Sequence, residues 1–208
     1  MAIDDLALRR AVVFASALVY WTGVFVQIRR VRKRTGRSAN SRPRGLKERL
    51  LWIGWILVVV LWIALPLLIG NPSMSGLFPI LPALAHRSVL ALGLVLITAG
   101  YLGTLWCYAL MGDTWRMGID RNERNRLVTR GPYRVVRHPI YALQVLMLAG
   151  VALLLPTPLT FFILVVHYVC AWLKAVDEEA YLLTVHGTEY RAYLTRTGRL
   201  FPKFLPTG

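Results

Sequence analysis

Five long apolar runs interrupt an otherwise strongly charged chain, at positions 11–28, 50–69, 88–112, 140–155 and 159–173. None of them holds an Asp, Glu, Lys or Arg, so all 25 basic and 10 acidic residues lie between or beyond the runs. At a rise of about 1.5 Å per residue, crossing a hydrocarbon core of about 30 Å takes about 20 residues of helix. Runs 50–69 and 88–112 meet that length and 11–28 nearly does. Runs 140–155 and 159–173 fall short, but only Pro156-Thr157-Pro158 separates them, which is the pattern of a tight helical hairpin. The pattern therefore predicts an all-α, polytopic membrane bundle of about five transmembrane helices, with a C-terminal helical hairpin and a cytoplasmic helical cap.

The cap follows from the tail, where apolar Val176, Leu182 and Leu183 mix with Asp177, Glu178 and Glu179. Gly187 stands where a helix C-cap is favoured, Thr188 can begin a second short helix, and Leu200-Phe201-Pro202 closes the chain. The segment 70–87, with three prolines among apolar residues, predicts irregular chain at the outer interface. Trp52, Trp55, Trp62, Trp106 and Trp172 lie near run ends and read as interfacial anchors.

Composition agrees with this picture. Apolar residues make up 56% of the 208 and the mean hydropathy is +0.52, too apolar for an ordinary soluble domain. The net charge of +15 reads as topology rather than nucleic-acid binding, because no stacking motif or recognised module accompanies it. Ten basic residues fall in 29–49, seven in 113–138 and five from Lys174 onward, against Arg9, Arg10 and Arg87 on the other side. Basic loops stay in the cytoplasm, so the N-terminus is expected outside and the C-terminus inside, in the inner membrane if the source is bacterial. Stretch 29–49 reads as an extended loop against anionic headgroups. The first run is too long for a signal peptide and is read as an uncleaved span. Cys107 and Cys170 lie inside apolar runs as small hydrophobes, and no metal-ligand spacing is present.

Candidate chemistry concentrates in Leu127 to Tyr141. Gly131-Pro132 sets a tight turn. Pro139 suits the first turn of a helix, so His138-Pro139 begins the fourth span and leaves free N–H groups beside Arg137, a place for an anion. Across the hairpin, Glu178-Glu179 offers adjacent carboxylates for a cation or for hydroxyl groups. Two polar residues inside spans, Gln144 and His167, face the bundle interior rather than lipid and are candidates for acceptor contact or interhelical hydrogen bonds. Trp115 and Arg116 lie where an acceptor pocket would open. His86 and His186 read as interfacial and surface residues.

The set Leu127-Val128, Gly131-Pro132-Tyr133, Arg137-His138-Pro139-Ile140-Tyr141, an apolar hairpin, Glu178-Glu179 and His186-Gly187-Thr188-Glu189-Tyr190-Arg191-Ala192-Tyr193 resembles the isoprenylcysteine carboxyl methyltransferase family and its phospholipid methyltransferase-like membrane relatives. The likeness spans about residues 112 to 204. It implies a cofactor-binding core in 113–208, which joins the three spans and basic loop 29–49 that the apolar runs place in 1–112 as a single membrane domain over 1–208. It also implies S-adenosylmethionine as cofactor, held by Tyr133, His138, Pro139, Tyr141, Glu178 and Glu179. Arg137, Glu178 and Glu179 become catalytic candidates, and Trp115, Arg116, Gln144 and His167 substrate contacts. The expected partners are a lipophilic or lipid-linked acceptor and membrane lipids, with no nucleic acid and no metal. A carboxylate acceptor would need no base, whereas an amine or thiol would. The chain departs from the family pattern at Lys174, where Arg is common; Lys keeps the charge and loses the planar fork. Two competing readings are an NADPH-dependent, sterol-type reductase relative and a non-catalytic membrane protein. The former expects Asn before the Tyr of the turn, where this chain has Ile140.

Overall fold

A computed structural model of the chain describes residues 3–36, 45–69, 71, 73–117 and 127–203. Its helices are α1 (Ile3–Thr35), α2 (Gly45–Ile69), α3 (Arg87–Met111), α4 (Pro139–Leu154) and α5 (Pro158–Arg196), and no strand occurs among the described residues. The architecture is a helical membrane bundle. Helices α1, α2, α3 and α5 are long and apolar enough to cross a membrane, whereas α4, at 16 residues, is shorter. The predicted basic loop 29–49 is largely helix instead: α1 runs on to Thr35 and α2 starts at Gly45. Arg and Lys are good helix formers, and Arg32, Lys33 and Arg34 in the last turn of α1 complement its dipole. Positions 37–44 of that loop and 118–126 of the loop before α4 lie outside the described residues.

In space α1 lies against α2, α2 against α5, α5 against α4 and α4 against α3, while α1 and α3 touch only sparsely. The closest packing is between α3 and α4. A Cβ added at Gly93 would sit 2.9 Å from the carbonyl oxygen of Gly150, and one at Gly150 would sit 2.6 Å from that of Gly93. At Gly100 it would lie 2.4 Å from Met147 Cγ. Lipid tails are as apolar as leucine, so helices in a bilayer associate through close van der Waals contact, which small residues permit.

At one end of the bundle, arginines close the helix termini. The fully buried guanidinium of Arg9 donates to the carbonyls of Leu154 (3.4 Å) and His86 (3.2 Å) and pairs with Asp5 at 3.3 Å. Arg10 donates to Pro66 in the last turn of α2 at 2.6 Å. The sequence reading took these two only as loop charges. Between α2 and α3 the chain makes short turns at Ser75–Leu77 and Pro82–Leu84, and the Leu81 N–H donates to Pro156 at 2.8 Å, tying this segment to the hairpin turn. Thr157 and Thr160 form the reciprocal cap that starts α5, with Pro158 in its first turn.

At the opposite end α5 extends beyond the bilayer core, since the stretch from Pro158 to His186 alone rises about 43 Å against a core of about 30 Å. Gly187 breaks it with φ 51° and ψ −117°, as the sequence predicts. The chain after Arg196 then pairs with the segment before α4. Gly198 bridges Val136 in parallel register, and Arg137 and His138 donate their N–H groups to the Gly198 and Arg199 carbonyls at 2.8 and 3.1 Å. Of the predicted interfacial tryptophans, Trp106 and Trp172 are exposed, but Trp55 and Trp62 are buried. Trp62 stacks on Tyr20 with centroids 5.7 Å apart, and Trp55 donates to His167 at 3.0 Å. The apolar indole surface is satisfied by neighbouring helices there rather than by the interface.

Replacing Gly150 with leucine is expected to push α3 and α4 apart. Overpacking costs about 1–3 kcal/mol, which should appear as a lowered thermal midpoint in detergent, while Leu at exposed Gly76 should leave the midpoint unchanged.

Candidate active site

The turn Gly131–Arg134, the start of α4, the middle of α5 and the paired tail meet at one end of the bundle. Gly131 adopts φ 60°, a left-handed conformation that costs glycine least, and a Cβ there would lie 2.5 Å from Leu110 Cδ1, so glycine lets the turn sit against α3 without strain. His138 caps α4 and Pro139 occupies its first turn. The N–H groups that the sequence reading leaves free for a ligand anion are in part taken: those of Arg137 and His138 go to the tail. The Arg137 guanidinium donates to Glu179 at 2.9 Å and to the Thr197 carbonyl, and reaches the Leu194 carbonyl at 3.5 Å. Arg199 grips the same carboxylate with two bonds, of 3.0 and 2.8 Å. The anion at this helix end is thus the protein's own Glu179.

The adjacent carboxylate does something different. Glu178 accepts from the Tyr141 hydroxyl at 2.5 Å, and His138 lies between the pair, with Nδ1 3.3 Å from Glu178 and Nε2 3.3 Å from Glu179. The His138 ring stacks parallel to Tyr141, centroids 5.8 Å apart. Burial alone would push His138 down, but the hydrogen bonds and charges of Glu178 and Glu179 outweigh it and raise its pKa. Burial would likewise push Glu179 up, but hydrogen bonds from His138, Arg199 and Arg137 hold it well below the usual carboxylate range. Glu178 is also lowered; burial opposes this, and His138, Tyr141 and Lys174 overcome it.

A cavity of about 230 Å³ opens beside this cluster, many times the about 10–15 Å³ that one water needs. Of the residues singled out in the sequence, Trp115, Arg116, Tyr133, Arg137, His138, Pro139, Tyr141, Gln144 and Glu178 line it. Glu179 stands behind that wall in the arginine clamp, and His167 sits behind Trp55 as its hydrogen-bond acceptor. The walls also include residues with no motif, Tyr20, Trp21 and Val24 from α1, Trp55 from α2 and Tyr108 from α3, together with His186 and Tyr190 of the α5 motif, of which His186 was read as a surface residue. Tyr20 accepts a hydrogen bond from the Gln144 amide across the bundle. A polar residue inside a span was the available signal for Tyr20, the same that singled out Gln144. Trp55 meets Tyr141 edge-on at 5.9 Å and carries the buried Lys174 ammonium 4.2 Å from its ring centre.

A profile of the phospholipid methyltransferase family matches residues 88–189, from the start of α3 to just past the break in α5. Residues 88–189 belong to that family. The cobalt-zinc-cadmium resistance protein CzcN of Cupriavidus metallidurans is 27% identical over 169 residues, covering 78% of this chain and 72% of CzcN. The nickel-cobalt-cadmium resistance protein NccN of Alcaligenes xylosoxydans xylosoxydans is 26% identical over 116 residues, covering 56% of this chain and 51% of NccN. The phospholipid methyltransferase region thus holds the arginine-clamped cluster except Arg199, while α1 and α2, which complete the cavity, precede it.

The cluster should set the protein's pH range. His138 binds its proton more tightly folded than unfolded, so its contribution is complete below an ordinary imidazole value of 6.5 and fades as pH rises through its raised pKa. Glu179, with a lowered pKa, contributes fully above its ordinary 4.5 and loses that as pH falls through its folded value. Thermal midpoints across pH should peak between these limbs. Glu179→Gln should flatten the acid limb and cost about 3–5 kcal/mol at neutral pH, because two arginines are left without a carboxylate.

Proposed function

We propose that this chain transfers a methyl group from S-adenosylmethionine to a lipophilic acceptor, in the cavity at the start of α4. The reading rests chiefly on one observation: a single cavity joins a polar, hydrogen-bonded cluster, Glu178 with His138 and Tyr141, to a wall of aromatic residues from the membrane helices. Family membership supports the transfer reaction. The residues also fit the cofactor's chemistry. Glu178 presents a carboxylate to a cationic ligand, and the buried Tyr190 hydroxyl and Gln144 carbonyl line the cavity without a hydrogen-bond partner among the described residues. When bound, the cofactor supplies a methyl group made electrophilic by its sulfonium.

The protein's part is to hold and to dry. Tyr141 fixes Glu178 by donating to it, Trp55 backs Tyr141, and the Tyr20–Gln144 bond fixes the opposite wall. Aromatic walls exclude water, so an acceptor is held near attack distance without a competing hydration shell. A carboxylate held below its usual range is a weak base, and His138, whose pKa the two glutamates raise, gives up its proton less readily than a free imidazole. Neither is suited to remove a proton there, which favours an acceptor that arrives deprotonated. On the distribution of basic residues, this end of the bundle faces the cytoplasm. Both relatives are named for metal resistance, which supports a setting of metal stress for this chain. The acceptor that suits the cavity is a membrane component, since Tyr20, Trp21, Trp55 and Tyr108 of the membrane helices form much of its wall.

Calorimetric titration of the detergent-purified chain should show binding of S-adenosylmethionine and none of NADPH. Glu178→Gln, which keeps an acceptor for Tyr141 but removes the charge, should weaken that binding at least tenfold when measured well below the variant's own thermal midpoint. Binding of NADPH alone would overturn the transferase reading in favour of a reductase. Binding of neither by folded protein would leave the fold without this chemistry.

A further inference from the structure

The ring of helices is open at one seam. Helices α1 and α3 barely touch, and between them runs a groove of about 730 Å³, separate from the reaction cavity but sharing Tyr108 as a wall. Its chemistry is graded along the helices. One end is apolar, floored by Leu18, Val19 and Leu105. The other end carries Arg30 and Arg34, with Asp113 the acidic residue among the described lining. From Leu18 to Arg34 along α1 is about 24 Å at helical rise, the scale of a lipid headgroup with most of one acyl chain.

The polar end has unmet capacity. Arg30 is exposed and makes no hydrogen bond or ion pair with any described residue. Arg34 meets Asp113 only at 3.4 Å, with both side chains more than half exposed. Gln27 lines the groove, is 8% exposed, and has no hydrogen-bond partner among the described residues. Two cations and a buried amide beyond an apolar floor complement an anionic, phosphate-bearing amphiphile. A zwitterionic lipid would bring its own cation toward the arginines.

We propose that the groove between α1 and α3 binds one anionic glycerophospholipid, its phosphate at Arg30 and Arg34, its glycerol ester region at Gln27, and an acyl chain along Leu18, Val19 and Leu105. The site is independent of the methyl-transfer reading and needs no turnover to be detected.

The test is native mass spectrometry of the detergent-solubilised full chain, titrated with dioleoyl phosphatidylglycerol and, separately, dioleoyl phosphatidylcholine. A basic residue near an anionic lipid is worth about 1 kcal/mol, about fivefold in affinity. Wild type should therefore prefer phosphatidylglycerol, and Arg30→Gln with Arg34→Gln should weaken that lipid about 25-fold while leaving phosphatidylcholine unchanged. Asp113→Asn, which frees Arg34, should tighten phosphatidylglycerol a few-fold. Ala109→Phe, which fills the groove from its exposed side, should weaken both lipids. Each variant is compared at a thermal midpoint equal to wild type, since all four positions are at the surface. Equal binding of the two lipids by wild type, or a phosphatidylglycerol preference that survives both the arginine pair and Ala109→Phe, would overturn the proposal.

Discussion

The carboxylate of Glu179 accepts from Arg137 and from both arms of the Arg199 fork, and this one group draws three distant stretches of chain together. Arg137 precedes α4, Glu179 lies on α5 beyond the apolar run, and Arg199 belongs to the returning tail. A lone buried carboxylate would be costly, and so would two arginines beside it without one; together, with the carbonyls of Thr197 and Leu194 completing Arg137, the charges are met. Backbone pairing of Val136 with Gly198 then has a fixed partner, and His138 is placed at the head of α4. The clamp and this backbone pairing together hold the tail beside the histidine.

Two neighbouring glutamates carry opposite duties because of helix geometry. Successive residues on a helix point about 100° apart, so Glu179 turns to the tail while Glu178 turns to Tyr141 and the cavity. His138 is shared between them, and the charge of one carboxylate is therefore felt at the other. Position Gly198 shows how tightly this is built: a Cβ there would fall 1.6 Å from the carbonyl oxygen of Phe201, so the returning tail can make its turn only at glycine.

Much of this was legible in the residues because the signals are local. Charge-free runs gave the spans, Pro156-Thr157-Pro158 the hairpin and Gly187 the break in α5, each from a few consecutive positions. The cluster from Tyr133 to Tyr141 was legible by motif, and its meeting with Glu178 follows from the hairpin. What was not legible depends on distant partners. One bridge between Val136 and Gly198 leaves no periodic trace. Arg9 and Arg10 look like loop charges until the carbonyls of Leu154, His86 and Pro66 are seen beside them. Trp55 and Trp62 follow their neighbours inward against the usual interfacial preference, and a pair of equal-looking glutamates gives no hint of which one the arginines take.

The family match begins at α3, yet the cavity is not complete without what precedes it. Tyr20, Trp21 and Val24 on α1 and Trp55 on α2 face the same space as Gln144 and Tyr141. Hydrogen bonds and ring contacts join the two parts, Gln144 to Tyr20 and Tyr141 to Trp55. On the proposed reading, the ionised end that takes the cofactor is supplied by α4, α5 and the loop before α4, while much of the apolar wall an acceptor would touch is supplied by α1 and α2. Differential contact with that wall is what discriminates one acceptor from another. Acceptor choice can therefore change through α1 and α2 while the arginine clamp and the cofactor end stay as they are.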